Sequence, residues 1–223
     1  MKLSIEIAYA IVLLTSGYIA AILYLSKENF HNVHIQTFAL NSRNRILYLT
    51  TAVVINVALI VSFTHYFEDK SLVHQMQLLT LINFLVPISA IDYRIYKIPN
   101  SFLLGALAVR AVFYIIDFAR SIPIAWQNMK ESLLAAAILM VFFTILLLIF
   151  KNGIGMGDIK LIGIMGLYQG LWGSVNAVFY SLVAAFFVAL TLLITKRKNR
   201  KDMIPFGPCI MVGTALSMIL TGI

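Results

Sequence analysis

Apolar windows, each long enough to cross a bilayer core, recur along the whole chain and decide what it can become. The run LLAAAILMVFFTILLLIF, from Leu133 to Phe150, holds no charged residue. In hydrocarbon every backbone N–H and C=O must find an internal partner, which only helices or a closed barrel provide, and windows of this length select helices. Hydrophobic residues are 61% of the 223 and charged residues 12%, so no separate soluble domain is accommodated. The expected fold is an all-α polytopic membrane protein, a single domain over residues 1–223.

Spans are expected near 5–25, 46–64, 75–91, 101–119 and 132–150. From Leu161 to Ile194 the chain carries no charge and is too long for one crossing. The YQGLWGS stretch supplies turn residues at 168–174, which splits that run into 159–172 and 175–195. A last span at 205–222 makes about eight. The stretch AAILYLSKEN lacks a small-x-small cleavage pattern, so the first window reads as a span and not as a removed signal.

Basic residues test the split, because cytoplasmic loops collect Lys and Arg. With eight spans and the amino terminus outside, the inner side holds Lys27, Arg43, Arg45, Arg94, Lys97, Lys151, Lys160 and the cluster Lys196, Arg197, Lys198, Arg200 and Lys201. The outer side holds Lys2, Lys70, Arg120 and Lys130. Seven spans would set the basic cluster opposite Lys160. The +8 net charge is thereby explained by topology and contact with anionic lipid, and no nucleic-acid partner is expected.

One cysteine, Cys209, excludes an internal disulfide and a multi-cysteine metal site. The histidines at 31, 34, 65 and 74 lack a completing ligand set and read as solvated or interfacial. Neither a metal nor a cofactor is expected. There is no G-x-S-x-G, and GIGMGD lacks the G-K-S/T ending of a phosphate loop.

The nine acids can be placed one by one. Glu6, Glu28, Glu68, Asp69, Glu131 and Asp202 fall at span ends or in loops, where water solvates them. Asp117 lies in the fourth span, on one helical face with Arg110, and a structural pairing or a snorkelling arginine is the expected account. Asp92, in ISAIDYRIYKIPN, and Asp158, in GMGDIKL, both fall at the inner boundary. Carboxylates at the edge of hydrocarbon are functional candidates. Two of them close together cannot both ionise comfortably, and a pair sharing a proton can do acid and base work on one water. Glycines at 155 and 157 also allow close approach of another segment. A purely structural turn, with Gly153 ending one helix and Asp158 capping the next, would use the same residues.

At these residues the chain resembles the type IV prepilin peptidase and preflagellin peptidase family, membrane aspartyl proteases of the G-x-G-D kind. Asp92, Arg94, Lys97, Ile98, Pro99 and Asn100 match one signature; Gly155, Gly157, Asp158, Lys160 and Leu161 match G-x-G-D-x-K-L; Ile204 to Pro208 match I-P-F-G-P. The resemblance covers roughly 75–223, which makes that stretch the catalytic core and 1–74 accessory spans. It implies Asp92 and Asp158 as the catalytic pair, with Gly155, Gly157 and Lys160 as supporting motif residues. It implies a prokaryotic plasma-membrane enzyme that cuts a short basic leader from single-span prepilin-like or preflagellin-like precursors at the cytoplasmic face. Long members carry a cysteine-containing insertion linked to methylation, whereas Ser26 to Arg45 is short and lacks cysteine, so cleavage without methyl transfer is expected.

Two other readings compete. A presenilin-like or signal-peptide-peptidase-like protease would pair its G-x-G-D aspartate with Tyr-Asp and Pro-Ala-Leu motifs, but here Tyr93 follows Asp92 and the last span opens IPFGP. A proton-coupled transporter or channel would line a path with Asp92, Asp158 and Arg110.

Overall fold

The computed structural model describes residues 2–29, 42–149, 155–195 and 204–222. The described residues form helices α1 Lys2–Asn29, α2 Ser42–His65, α3 Leu72–Ile95, α4 Asn100–Arg120, α5 Ile122–Ile149, α6 Met156–Ile194 and α7 Gly207–Thr221, with no strand among them. Six of these are long and apolar enough to cross a membrane, and α7 is apolar but shorter. Expectations that involve His31, His34, Lys151, Gly153, Asp202, the 196–201 basic cluster and the middle of the Ser26 to Arg45 connection lie outside the described residues.

Helix α6 is continuous by hydrogen bonding, yet Gly170 breaks it with φ 68 and ψ −171. Both sides of the break meet the same part of α7. The Thr214 hydroxyl lies 4.0 Å from Met165 Sδ, and Ser181 Oγ donates to Ile210 O at 3.5 Å. On a straight helix residues 165 and 181 would stand about 24 Å apart. The chain therefore doubles back at Gly170, inside the 168–174 stretch where the sequence supplies turn residues.

Contacts fix the directions. Lys2 Nζ donates to Glu68 O at 3.1 Å and to Lys70 O at 3.2 Å, while Ser62 Oγ donates to Ile219 O at 3.0 Å. These gather the start of α1, the turn between α2 and α3, and the end of α7 at one end of the molecule. Gly207 meets Asp92, and Lys160 meets Asn100, at the other. Successive helical runs alternate in direction once α6 is counted as two. Helix α3 is the hub, buried from Val73 to Asp92 over most positions, and the first half of α6 is buried continuously from Leu161 to Gln169. Large apolar residues such as Leu104, Ile115, Leu148, Phe179 and Phe186 stay exposed on the outer helices, as a lipid-facing surface requires.

Several sequence expectations are corrected. Helix α5 begins at Ile122, so the expected outer loop over 120–131 is largely helical: Pro123 suits a first turn, and AWQNMKES contains no breaker. Glu6 is not solvated, because packing of α1 buries it completely with neither carboxylate oxygen hydrogen-bonded. Arg110 does not bond Asp117. Its guanidinium sits over the Tyr114 ring, 4.2 Å from the centroid, because side chains four residues apart share a helix face. Asp117 Oδ2 instead accepts from Gln77 Nε2 at 3.2 Å.

Candidate active site

Asp92 occupies the last turn of α3 and is buried. The helix stops just beyond it because Tyr96 turns left-handed, with φ 53 and ψ 37, and donates its N–H to Asp92 O at 2.9 Å. Pro99 then precedes α4 and accepts from the Phe102 N–H at 3.2 Å, so the Ile98-Pro99-Asn100 stretch is a tight link from one helix to the next. Proline suits that place because it presets the backbone and needs no donor at a helix start.

Asp158 sits in the first turn of α6, with Gly155 as the N-cap. It is thus the third helical residue and not the cap itself. Its Oδ2 reaches back to accept the Gly155 N–H at 3.2 Å, which satisfies one of the donors left open at a helix start. The glycines leave room for this. A Cβ at residue 155 would stand 3.0 Å from Asp158 Oδ2.

The first two signatures interlock. A Cβ at residue 157 would meet Ile98 Cβ at 3.0 Å, and Lys160 Nζ donates to Asn100 Oδ1 at 3.2 Å. The third signature closes on Asp92. The Gly207 N–H donates to Asp92 Oδ2 at 2.7 Å, and the Phe206 amide is directed at the same carboxylate. The Asp92 charge acts on Asp158 and on Cys209 across the resulting cluster. The two carboxylates are therefore brought to one end of the molecule, Asp158 in the first turn of α6 and Asp92 in the last turn of α3 against the start of α7.

Such a pair can take a proton from water with one carboxylate and give one with the other. Among the described residues no three or more His, Cys, Asp or Glu side chains gather as a metal ligand set. Sequence reasoning assigned no task to Ile98, Asn100, Phe206 or Gly207; their motifs were visible, but their partners are distant in the chain.

An apolar groove of about 450 Å³ begins beside this cluster. Asn100 and Lys160 stand at its mouth, and Leu104, Leu107, Met140 and Ile164 are among the residues that line it further in. Its outer wall is open, with Leu104 65% exposed.

The sequence model of the type IV leader peptidase family matches residues 79–190, just over half the chain, an interval that contains both carboxylates. A prepilin leader peptidase/N-methyltransferase of Bacillus subtilis (strain 168) is 27% identical over 138 residues, 62% of this chain and 53% of that protein. The chain thus spans about half the length of this relative. No solved structure matches.

Proposed function

The chain belongs to the type IV leader peptidase family, and on that premise we propose that it is a membrane aspartyl endopeptidase that removes short basic leaders from single-span prepilin-like or preflagellin-like precursors. The observation that carries this reading is that three interlocked signatures gather Asp92 and Asp158 at one end of the molecule. One carboxylate takes a proton from the attacking water. The other donates to the carbonyl oxygen, and the proton is returned to the leaving amine as the peptide bond breaks. Gly155, Gly157 and Lys160 act as supports. The machinery falls within 75–223, and residues 1–74 add helices that pack against α3, as in the Tyr9 to Thr80 hydroxyl bond at 2.6 Å.

The cleavage end faces the cytoplasm of a prokaryotic cell in this reading. Support comes from the basic residues: α1 ends and α2 begins at the Asp92 end of the molecule, so Lys27, Arg43 and Arg45 belong there with Arg94, Lys97 and Lys160. The precursor's apolar helix, already in the bilayer, approaches sideways and lies in the groove behind Lys160, which leaves the bond before that helix at the carboxylates. The product keeps a free amino terminus, because Ser26 to Arg45 is short and has no cysteine.

The test is purified protein in vesicles with a synthetic single-span precursor and an added sulfonium methyl donor, followed by amino-terminal sequencing and mass measurement. A single cut at the junction of leader and apolar helix, with no added methyl mass, is the expected result. A cut within the apolar helix, or cleavage that persists in Asp92→Asn or Asp158→Asn, overturns it.

A further inference from the structure

Asp92 stands in an electrostatically poor place. It lies in the final turn of α3, where the helix dipole and the unpaired carbonyls disfavour a negative charge. Asp158 and Cys209, on which its charge acts, would add negative charge rather than offset it. What compensates is the start of α7. A helix N-terminus offers unpaired N–H groups and the positive end of its dipole. Phe206 is the N-cap of α7 but supplies no side-chain cap, and Pro208, at N1 or N2, has no N–H to give. The missing cap comes from another helix: Asp92 Oδ2 accepts the Gly207 N–H at 2.7 Å and faces the Phe206 amide.

Only glycine allows this approach at residue 207. A Cβ there would stand 2.9 Å from Asp92 Oδ2, 3.0 Å from its Cβ and 3.2 Å from its Cγ. The φ of Gly207 is not in the left-handed region, so the requirement is for space and not for backbone freedom. Residues 206 and 207 lie beyond the 79–190 interval that the family match covers.

We propose that Phe206 and Gly207 are positioning residues: their backbone amides face Asp92 from across the fold, and the Gly207 N–H bond holds its carboxylate at one angle toward Asp158 and in return anchors the start of α7. The reacting water is then offered to a fixed acceptor. This rests on the peptidase reading for its catalytic consequence, but its geometry does not.

Two measurements separate these parts. The first is a double-mutant cycle on the unfolding midpoint of the purified full-length protein, with Gly207→Ala and Asp92→Gly. Gly207→Ala is expected to lower the midpoint in the parent and to change it little when Asp92 is already glycine, since the collision is with that side chain. Equal effects in both backgrounds overturn the contact. The second is cleavage kinetics on the synthetic precursor. Gly207→Ala is expected to lower kcat about 100-fold with KM within about twofold, the signature of a misplaced reacting group.

If Gly207→Ala does not fold, Phe206→Pro compared with Phe206→Ala gives the same answer. Both remove the ring, but only proline also removes the N–H, and the φ of −89 at Phe206 is near the proline range. Proline is expected to lower kcat about tenfold below alanine at equal KM. Equal kcat for the two, or unchanged kcat in Gly207→Ala, overturns the positioning role. An intact cycle in a protein that cleaves no precursor overturns only the peptidase reading.

Discussion

Gly157 packs so tightly on Ile98 that a methyl group on residue 157 would stand 3.0 Å from the Ile98 Cβ. One contact thereby joins the turn after Asp92 to the turn that carries Asp158. Lys160 and Asn100 add a polar bond beside it, at 3.2 Å. The two contacts form a seam between the segments that carry the carboxylates.

Gly157→Val should separate the seam. Overpacking of this kind costs about 1–3 kcal/mol. The expected outcome is a lowered unfolding midpoint in detergent together with a fall in precursor cleavage of at least about tenfold. The paired variant Gly157→Val with Ile98→Gly, which removes the Cβ that residue 157 would strike, should recover part of both, as measured by thermal unfolding and gel-based cleavage on the same preparations.

The Lys160 and Asn100 side chains are exposed, so their bond should matter less. Lys160→Ala and Asn100→Ala are each expected to reduce kcat/KM by a few-fold. In the double variant the losses should not add, because each single change removes the same bond. Strict additivity in the cycle would show that the two side chains act separately.

The carboxylates themselves give the sharpest outcome. Asp92→Asn and Asp158→Asn should each abolish cleavage of a co-expressed precursor while the protein stays in the membrane fraction, as judged by blotting of both species. Liposome ion flux that needs both residues, without any cleavage, would instead support the transporter reading.

Bulk in the groove should act on binding. Leu104→Trp and Leu107→Trp narrow the space beside Lys160 without touching either carboxylate. The expected effect is a several-fold rise in KM for the full precursor with kcat little changed, and no effect on a short soluble peptide that lacks the apolar helix. Progress curves with both substrates distinguish these cases.

Gly170 holds the reversal in α6 with φ 68 and has no atom within 4 Å of where a Cβ would be. Gly170→Ala should therefore destabilise through backbone strain and not through collision, by about 1–3 kcal/mol. Thermal unfolding in detergent reads this directly, and the same loss should appear in an inactive Asp158→Asn background.

Sequence alone was enough for the helical, membrane-crossing class, because an apolar stretch in hydrocarbon has almost no other way to satisfy its backbone. It also marked the reversal inside 161–194, where Gly170 and its neighbours interrupt the run, and it singled out Asp92 and Asp158, since acids at that depth are rare and costly. It misjudged Glu6 and Arg110, whose surroundings depend on which helix faces pack together. Partners of Asp92 were hidden for the same reason: residue 207 is far along the chain, and its backbone N–H leaves no trace in residue type. Tertiary packing decided that three separate signatures meet at one end of the molecule, with glycines where two segments come within touching distance. Local sequence fixes what each segment can form, but contact between distant segments follows from shape and burial across the whole chain.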